Sequence, residues 1–146
     1  MRLYLRRTLT GFDPADDHAR DIHKKYKLGE VYRADVVKPR SYKHHCLCMA
    51  LLNITYENQD RYANFETFRK AVAMASGHVE ELVTLDGEIV FTPKSISYDA
   101  IPDDVTFGKV MSQMMDVCVN ILGGMNRSEL QGEVAKYAMN HYGIAA

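Results

Sequence analysis

The segment Lys38–Leu52 constrains the fold of this chain more than any other, because a clear signal for a helix start is followed there by an apolar helix face. Pro39 cannot lie inside a helix, and it biases the residue before it toward extended backbone. Ser41 is a favourable N-cap, since its hydroxyl can accept a hydrogen bond from a free N–H of the first turn. The apolar residues that follow recur at helical spacing, so the sequence predicts a helix from Ser41 to about Tyr56.

Four basic residues crowd the start of this helix: Arg40, Lys43, His44 and His45. A helix N-terminus is already the positive end of the macrodipole, so acidic residues are the stabilising choice there. A bound anion would explain the cations, because free N–H groups and basic side chains then point at the same ligand, and phosphate is the obvious candidate. The alternative is that the cations are solvated on the shoulder of the helix, at a cost of only about a few tenths of a kcal/mol.

The length of 146 residues predicts a single domain, 1–146, large enough to bury a core. Three cysteines without a C-x-x-C pair argue against a disulfide framework and for reduced thiols. The chain has no apolar run of membrane-spanning length and no signal-peptide pattern, so we expect no membrane partner and a cytoplasmic location.

Charge is distributed unevenly along the chain, although the net charge is only −1. Residues 1–45 hold eleven of the 18 Lys and Arg and six of the 19 Asp and Glu, a balance of +5. Residues 46–146 hold the remainder, a balance of −6. This asymmetry indicates an electropositive face on the N-terminal half, and it would also suit a head-to-tail contact between the two halves, within or between chains.

The order of predicted elements indicates an α+β fold, a small mixed sheet with a β-hairpin packed against about five helices. Alternation predicts strands over Arg2–Leu9 and Glu30–Val37. Asp13-Pro14 predicts a helix start, with Asp13 as N-cap and Pro14 as the first helical residue, and Leu28-Gly29 predicts its end.

A β-hairpin and three further helices complete the prediction. The hairpin joins Val79–Leu85 to Glu88–Thr92 through Asp86-Gly87, a pair typical of tight turns. The first of these helices covers about 64–76 and is followed by Gly77. The second covers 104–122, begins at Pro102-Asp103-Asp104 and ends at Gly123-Gly124. The third covers 127–141. Their predicted core-facing stripes are Phe65, Phe68, Val72 and Ala75; then Phe107, Val110, Met111, Met114, Val117, Cys118 and Ile121; then Leu130, Val134, Tyr137 and Ala138.

Two blocks of this chain resemble an uncharacterised phage and prophage family catalogued as a domain of unknown function, over about two-thirds of the length. One block is Lys27–Val31, Ala34-Asp35, Arg40 and Ala50–Asn53; the other is Gly77-His78, Asp86-Gly87, Pro93–Ile96 and the helix with Val105, Phe107 and Asp116-Val117. That family in turn looks like the NinB/Orf type of phage recombination protein, in which an Arg-Ser pair, here Arg40-Ser41, also precedes a helix with polar and basic residues. The resemblance implies a homodimer that binds single-stranded DNA and helps a phage recombinase to load. This chain departs from the NinB/Orf pattern at Lys43–Cys46, where that pattern has an Asn-rich polar turn.

The predicted nucleic-acid site lies at the start of the Ser41 helix. Single-stranded nucleic acid is bound by basic grooves with aromatic platforms, since each base offers a face and each linkage a charge. The site comprises Lys38, Arg40, Tyr42, Lys43 and His44, and Arg6, Arg7, Tyr32 and Arg33 on the neighbouring strands would widen it. For Tyr42 the competing interpretation is a core residue of its helix.

Metal binding and catalysis, including a weak nuclease possibility, are the less favoured alternatives. His44 and Cys48 share a helical face, but no second pair is spaced to complete a zinc site, so no metal and no cofactor are expected. A nuclease site would use residue types such as Asp86, Glu88 and Lys94, but Asp86 fits a turn. The acidic pairs Asp16/Asp17 and Asp103/Asp104 fit the first turns of helices. Cys46 or Cys48 could be a nucleophile with His44, since a helix start favours thiolates, but no third group is identifiable that would orient the histidine. His78 fits a helix cap.

Two function hypotheses follow. The first is a non-enzymatic, phage-derived single-stranded DNA-binding accessory protein for recombination or replication, acting as a homodimer through the long helix 104–122 or the last helix. The second is a small phage inhibitor that binds a host defence complex such as a CRISPR effector, with the acidic part of the chain as its working surface. Either would act in the cytoplasm of a host bacterial cell.

Overall fold

The computed structural model of the chain describes residues 3–36, 41–97, 100–101 and 103–144. Over these residues the protein has five helices and two antiparallel sheets of two strands each, which confirms the α+β class. The strands form two separate hairpins rather than one mixed sheet. In chain order the elements are β1 (Leu5–Arg7), β2 (Phe12–Pro14), α1 (Asp17–His23), α2 (Tyr42–Glu57), α3 (Phe65–Ala75), β3 (Val79–Val83), β4 (Ile89–Pro93), α4 (Asp104–Leu122) and α5 (Arg127–Tyr142).

Helix α2 is the centre of the fold, because it contacts α3, α4 and α5. Its apolar residues Cys48, Leu51 and Leu52 are buried in one cluster with residues of the other three helices. The predicted stripes are largely confirmed, since Phe68, Val72, Phe107, Val110, Met114, Cys118, Leu130, Val134 and Ala138 are all buried. Ala75 and Ile121 are exposed instead, because each lies near the end of its helix.

The long helix α4 was an expected dimer surface, but its methionines are used internally. Met114 and Met115 are buried in the cluster of the chain's own core. Val105 and Ile121 are the large apolar residues that α4 leaves exposed. No helix among the described residues is long and apolar enough to cross a membrane.

The helix start at Asp13-Pro14 was predicted wrongly. Asp13 and Pro14 belong to β2, which pairs with β1 in the register Leu5↔Pro14, Arg6↔Asp13 and Arg7↔Phe12. Asp16 is the N-cap of α1, and its Oδ1 accepts from the N–H of Ala19 at 2.7 Å. The hairpin moves the helix start by three residues because pairing with β1 holds the Asp-Pro dipeptide in a strand.

The strand predicted over Glu30–Val37 is also wrong for the part that the structure describes. Residues 30–36 have no strand partner and are exposed, while Val37 lies outside the described residues. Tyr32 bonds within the segment instead, since its hydroxyl donates to Glu30 at 2.7 Å and accepts from the N–H of Lys27 at 3.0 Å. Alternation of polar and apolar residues marks a strand only where a second strand is available to pair.

The second hairpin is confirmed, with a different turn. Thr84 N–H donates to Glu88 C=O at 2.8 Å, and Gly87 N–H donates to Thr84 C=O at 2.9 Å. The loop therefore has three residues, 85–87, and Gly87 takes the left-handed conformation at φ 84° that such loops require. Asp86 is a turn residue, as its Asp-Gly context predicts.

The predicted ends of α3 and α4 are confirmed by their caps, whereas the end predicted at Leu28-Gly29 is wrong, because α1 already ends at His23 with Lys24 as its C-cap. Asn64 and Asp103 accept from the N–H groups of Thr67 and Thr106 at the starts of α3 and α4. After α3, His78 N–H donates to Ala73 C=O at 2.9 Å and Gly77 N–H to Met74 C=O at 3.1 Å, the two bonds of a Schellman motif. His78 thus caps the helix through its backbone, while its buried ring bonds the carbonyl of Ser95.

Candidate nucleic-acid interface

The start of α2 receives a carboxylate from α4. Ser41 caps α2, its hydroxyl accepting from the N–H of His44 at 3.3 Å, as predicted. The Ser41 N–H itself donates to Oδ1 of Asp104 at 2.9 Å, and the same oxygen lies 3.9 Å from His44 Nδ1. An acidic side chain from a distant part of the chain therefore already offsets part of the positive potential at this helix start.

Tyr42 is fixed in place by three contacts rather than held out for stacking. Its hydroxyl donates to Asp16 Oδ2 at 2.8 Å, and its ring packs on Tyr4 with centroids 5.0 Å apart. Burial, together with the hydrogen bonds to Asp16 and Cys46, raises the pKa of the Tyr42 hydroxyl far above its ordinary value. Tyr42 thus joins α2 to the N-terminal hairpin and α1, which supports the core interpretation of this residue.

The remaining predicted site residues divide into two groups. Lys43 and His44 are exposed on the first turn of α2, facing solvent beside Asp104. Lys38 and Arg40 lie outside the described residues, so their place relative to Lys43 stays a prediction.

A cleft of about 230 Å³ adjoins this helix start. Tyr4 and His45 form one wall, their ring centroids 5.7 Å apart. Arg69 of α3 forms part of another wall, and its guanidinium bonds Glu66 at 2.9 Å. Glu66 lines the cleft as well, so the cleft combines two aromatic rings with an Arg–Glu ion pair, and it is completed by Met49, Ser95, Ile96 and Ser97.

Sequence reasoning missed Tyr4 and Arg69 as neighbours of the α2 start. Tyr4 reads as one residue of an alternating strand, and Arg69 as the partner of an i,i+3 pair on α3. Neither residue carries a local signal for a shared cleft, because only tertiary packing brings β1 and α3 to the same end of α2.

The N-terminal hairpin adds further exposed cations at this end. Arg6 and Arg7 are both exposed on β1, and the Arg7 guanidinium lies 5.7 Å from the ring centroid of Phe12. Since side chains alternate along a strand, Arg6 faces the same side as Tyr4, whose ring lines the cleft. Cations predicted only to widen the site therefore lie on the strand that directly follows Tyr4, whose ring contacts Tyr42 of α2.

The thiols on α2 and α4 are core residues. Cys46, Cys48 and Cys118 are free and buried. Burial raises the pKa of Cys46, even though its hydrogen bond with Tyr42 acts in the opposite direction, so this thiol is not activated as a nucleophile. Among the residues that the structure describes, no group of three or more His, Cys, Asp or Glu side chains is placed to hold a metal ion.

The candidate nuclease acids have structural roles. Asp16 and Asp103 are N-caps, and the N–H and hydroxyl of Thr106 lower the pKa of Asp103 by bonding its carboxylate. Asp86 lies in the hairpin turn, and Asp104 binds the α2 start. Each of these acids is thus accounted for by a local or tertiary hydrogen bond or by turn geometry.

A larger groove, of about 680 Å³, lies at the opposite end of α2. Tyr137 and His141 of α5 stack there with centroids 3.9 Å apart, and Lys136 bonds Glu133 at 3.1 Å. None of the predicted site residues within the described part of the chain lines this groove; its other walls are Ile54, Asn58, Leu122, Gly124, Met125 and Asn140.

The sequence matches no protein-family model, and comparisons with curated proteins and with solved structures find no match. The resemblance to the phage family and to the NinB/Orf type therefore stays a prediction from the residues that carry it.

Removing the Tyr42 hydroxyl tests the link between α2 and the N-terminal segment. We expect Tyr42→Phe to lower the free energy of unfolding by about 1–2 kcal/mol, because it removes a half-buried hydrogen bond to a carboxylate and keeps the ring. Urea unfolding measures the change. Tyr32→Phe removes an exposed hydroxyl from Glu30 and should cost less than about 0.5 kcal/mol. Equal losses in the two variants would contradict this role for Tyr42.

Proposed function

We propose that this chain is a non-enzymatic, phage-derived accessory protein that binds single-stranded DNA at the start of α2. It would assist recombination or replication as a homodimer in the cytoplasm of a host bacterial cell. The resemblance to the NinB/Orf type supplies the recombination role, and the cleft beside the helix start supplies the physical basis for binding.

The observation that carries the proposal is the meeting of aromatic rings and cations at one end of α2. Tyr4 and His45 line the cleft with Arg69, which is paired with Glu66. Lys43 and His44 are the exposed residues directly before His45 on the first turn of α2. Non-specific single-strand binding needs this combination, since bases stack on aromatic faces while cations meet phosphates. The Asp104 carboxylate bonds the Ser41 N–H beside His44, so phosphate contacts are expected at Lys43 and Arg69 rather than at the N–H groups of the helix start.

Anisotropy of a fluorescein-labelled thymidine oligonucleotide of about 20 residues tests the proposal, because phosphate contacts must show in affinity and in salt dependence. We expect binding at low salt that weakens as salt rises. Lys43→Ala and Arg69→Gln should each weaken binding and reduce the slope of log affinity against log salt by about 0.7.

Lys136→Ala is the matched control, since Lys136 is an exposed lysine at the other end of α2, bonded to Glu133. It should leave affinity unchanged. No binding at low salt, or the same loss in all three variants, would refute the DNA site.

The inhibitor function is a second candidate, favoured by one feature of the β3–β4 hairpin. Four carboxylates lie along it, and several large apolar residues beside them are exposed; the carboxylates are Glu80, Glu81, Asp86 and Glu88. An acidic rim around an apolar patch is the chemistry that a basic protein groove would accept. Failure to bind DNA, combined with displacement of DNA from a purified CRISPR effector complex, would favour this function.

A further inference from the structure

The β3–β4 hairpin exposes an unusual amount of apolar surface. Phe91 is 56% exposed and Leu85, in the loop, is fully exposed; the other apolar residues that are more than a third exposed are Leu82, Val83, Ile89 and Val90. Taking about 200 Å² for a fully exposed large side chain, the five residues other than Leu85 present on the order of 500 Å². That area is more than half of the roughly 800 Å² that each partner contributes to a stable interface, and a two-stranded hairpin alone is marginally stable.

The two edges of the hairpin differ in charge. Strand β3 carries Glu80 and Glu81, whereas β4 (Ile89–Pro93) carries no charged residue. Proteins protect open strand edges with charged residues, so the edge of β3 is protected and the edge of β4 is not. Strand β4 contacts α3, but only Thr92 and Pro93 within it are half-buried, and Ile89, Val90 and Phe91 are exposed.

The hydrogen bonds within the hairpin decide which groups of β4 face the open edge. Lys94 N–H donates to His78 C=O at 2.9 Å, and Glu88 C=O accepts from Thr84. Because bonded and non-bonded pairs alternate along antiparallel strands, the even-numbered residues 88–94 bond to β3. The N–H and C=O groups of Ile89 and Phe91, and the C=O of Pro93, therefore point to the open edge.

We propose that a second copy of this chain pairs with this edge, β4 against β4 antiparallel, about a twofold axis at Phe91. The hairpins of the two copies would form one four-stranded sheet. In this register Phe91 lies opposite Phe91 of the second copy, and Ile89 lies opposite Pro93. Four backbone hydrogen bonds form: Phe91 N–H to Phe91 C=O twice, and Ile89 N–H to Pro93 C=O twice.

Charge complementarity selects this register and this edge. Glu88 lies opposite Lys94 of the second copy, and the twofold axis repeats the pair at the other end of the strand. The corresponding pairing of β3 about Glu81 would place two glutamates opposite each other, which is unfavourable. Pro93, which lacks an N–H, limits the pairing to the length of β4.

Sedimentation equilibrium of the full chain tests this contact at protein concentrations between about 1 and 200 µM, where a weak dimer is populated by mass action. This inference rests on the homodimer part of the proposed function. The experiment contains no DNA, so a missing dimer and a missing DNA site are detected separately. We expect a concentration-dependent dimer. Phe91→Lys, which places two cations at the twofold axis, should weaken it at least about tenfold.

Charge reversal tests the register itself. Glu88→Lys should weaken the dimer, and Glu88→Lys combined with Lys94→Glu should restore it, because the pair is then reversed rather than lost. Leu85→Lys is the control, since this fully exposed loop residue lies outside the paired strand and should have no effect. Three results would overturn the proposal: a monomer at every concentration, an equal loss of dimer affinity in Leu85→Lys and Phe91→Lys, or failure of the double variant to restore the dimer. A monomer would indicate that the exposed hairpin binds a different protein.

Discussion

Replacing Phe107 with alanine is expected to lower the free energy of unfolding by about 3–5 kcal/mol. Phe107 is fully buried near the start of α4, within the cluster that joins α4 to α2, α3 and α5. The truncation removes apolar burial and leaves a cavity that four packed helices cannot easily close. A loss of this size is a large fraction of the total stability of a domain of this length.

Urea unfolding followed by circular dichroism measures the effect, provided the m-value stays constant. Val105→Ala, two residues earlier on α4 at an exposed position, serves as the control and should change the free energy of unfolding by less than about 0.5 kcal/mol. A Phe107→Ala loss below about 1 kcal/mol would mean that α4 is not packed into the core as described.

Alkaline pH is expected to destabilise the protein through Cys118. Burial raises the pKa of this thiol to about 11, from an ordinary value of 9.0, although Thr55 acts in the opposite direction. Below pH 9 the thiol is protonated in both states, so its contribution to stability is fully present. Above pH 9 the unfolded chain loses this proton and the folded protein retains it, so up to about 3 kcal/mol is lost as the pH rises to 11.

Comparison with Cys118→Ala isolates this contribution, because the tyrosines and Cys46 titrate equally in both proteins. The advantage of the native chain over the variant should shrink by about 2 kcal/mol between pH 8 and pH 10.5 in urea unfolding. A difference that stays constant over this range would show that Cys118 ionises as easily in the folded protein as in the unfolded chain.

The four helices of the core could be predicted because their limits are set by local chemistry. Ser41, Asn64 and Asp103 accept from backbone N–H groups three residues later, and Gly123 ends α4 in the left-handed conformation. A side chain that bonds its own backbone acts in the same way wherever the helix lies in the fold. The β3–β4 hairpin was recognisable for the same reason.

Elements that depend on a distant partner could not be predicted. Asp13-Pro14 suits a helix start as well as a strand end, and pairing with β1 decides between them. Glu30–Val37 has the alternation of a strand, but residues 30–36 find no second strand. In both segments the local preferences are nearly balanced, so tertiary contacts determine the outcome.

The candidate site shows the same division. Lys43 and His44 could be placed on the first turn of α2 from the sequence, because Ser41 marks where the helix begins. Asp104, 63 residues away from Ser41, could not be expected there, and neither could Arg69 on α3. These residues reach the helix start only through the packing of α3 and α4 on α2.

The attachment of the N-terminal segment through Tyr4, Tyr42 and Asp16 has a consequence for motion. A unit joined to a core by few side chains can open at a lower free energy than the core itself. Arg6 and Arg7 lie on that unit, whereas Lys43 and Arg69 belong to the helical core. These four cations are therefore carried by two parts of the protein with different opening energies. Tyr4 can leave the cleft wall together with β1 while the four core helices remain folded.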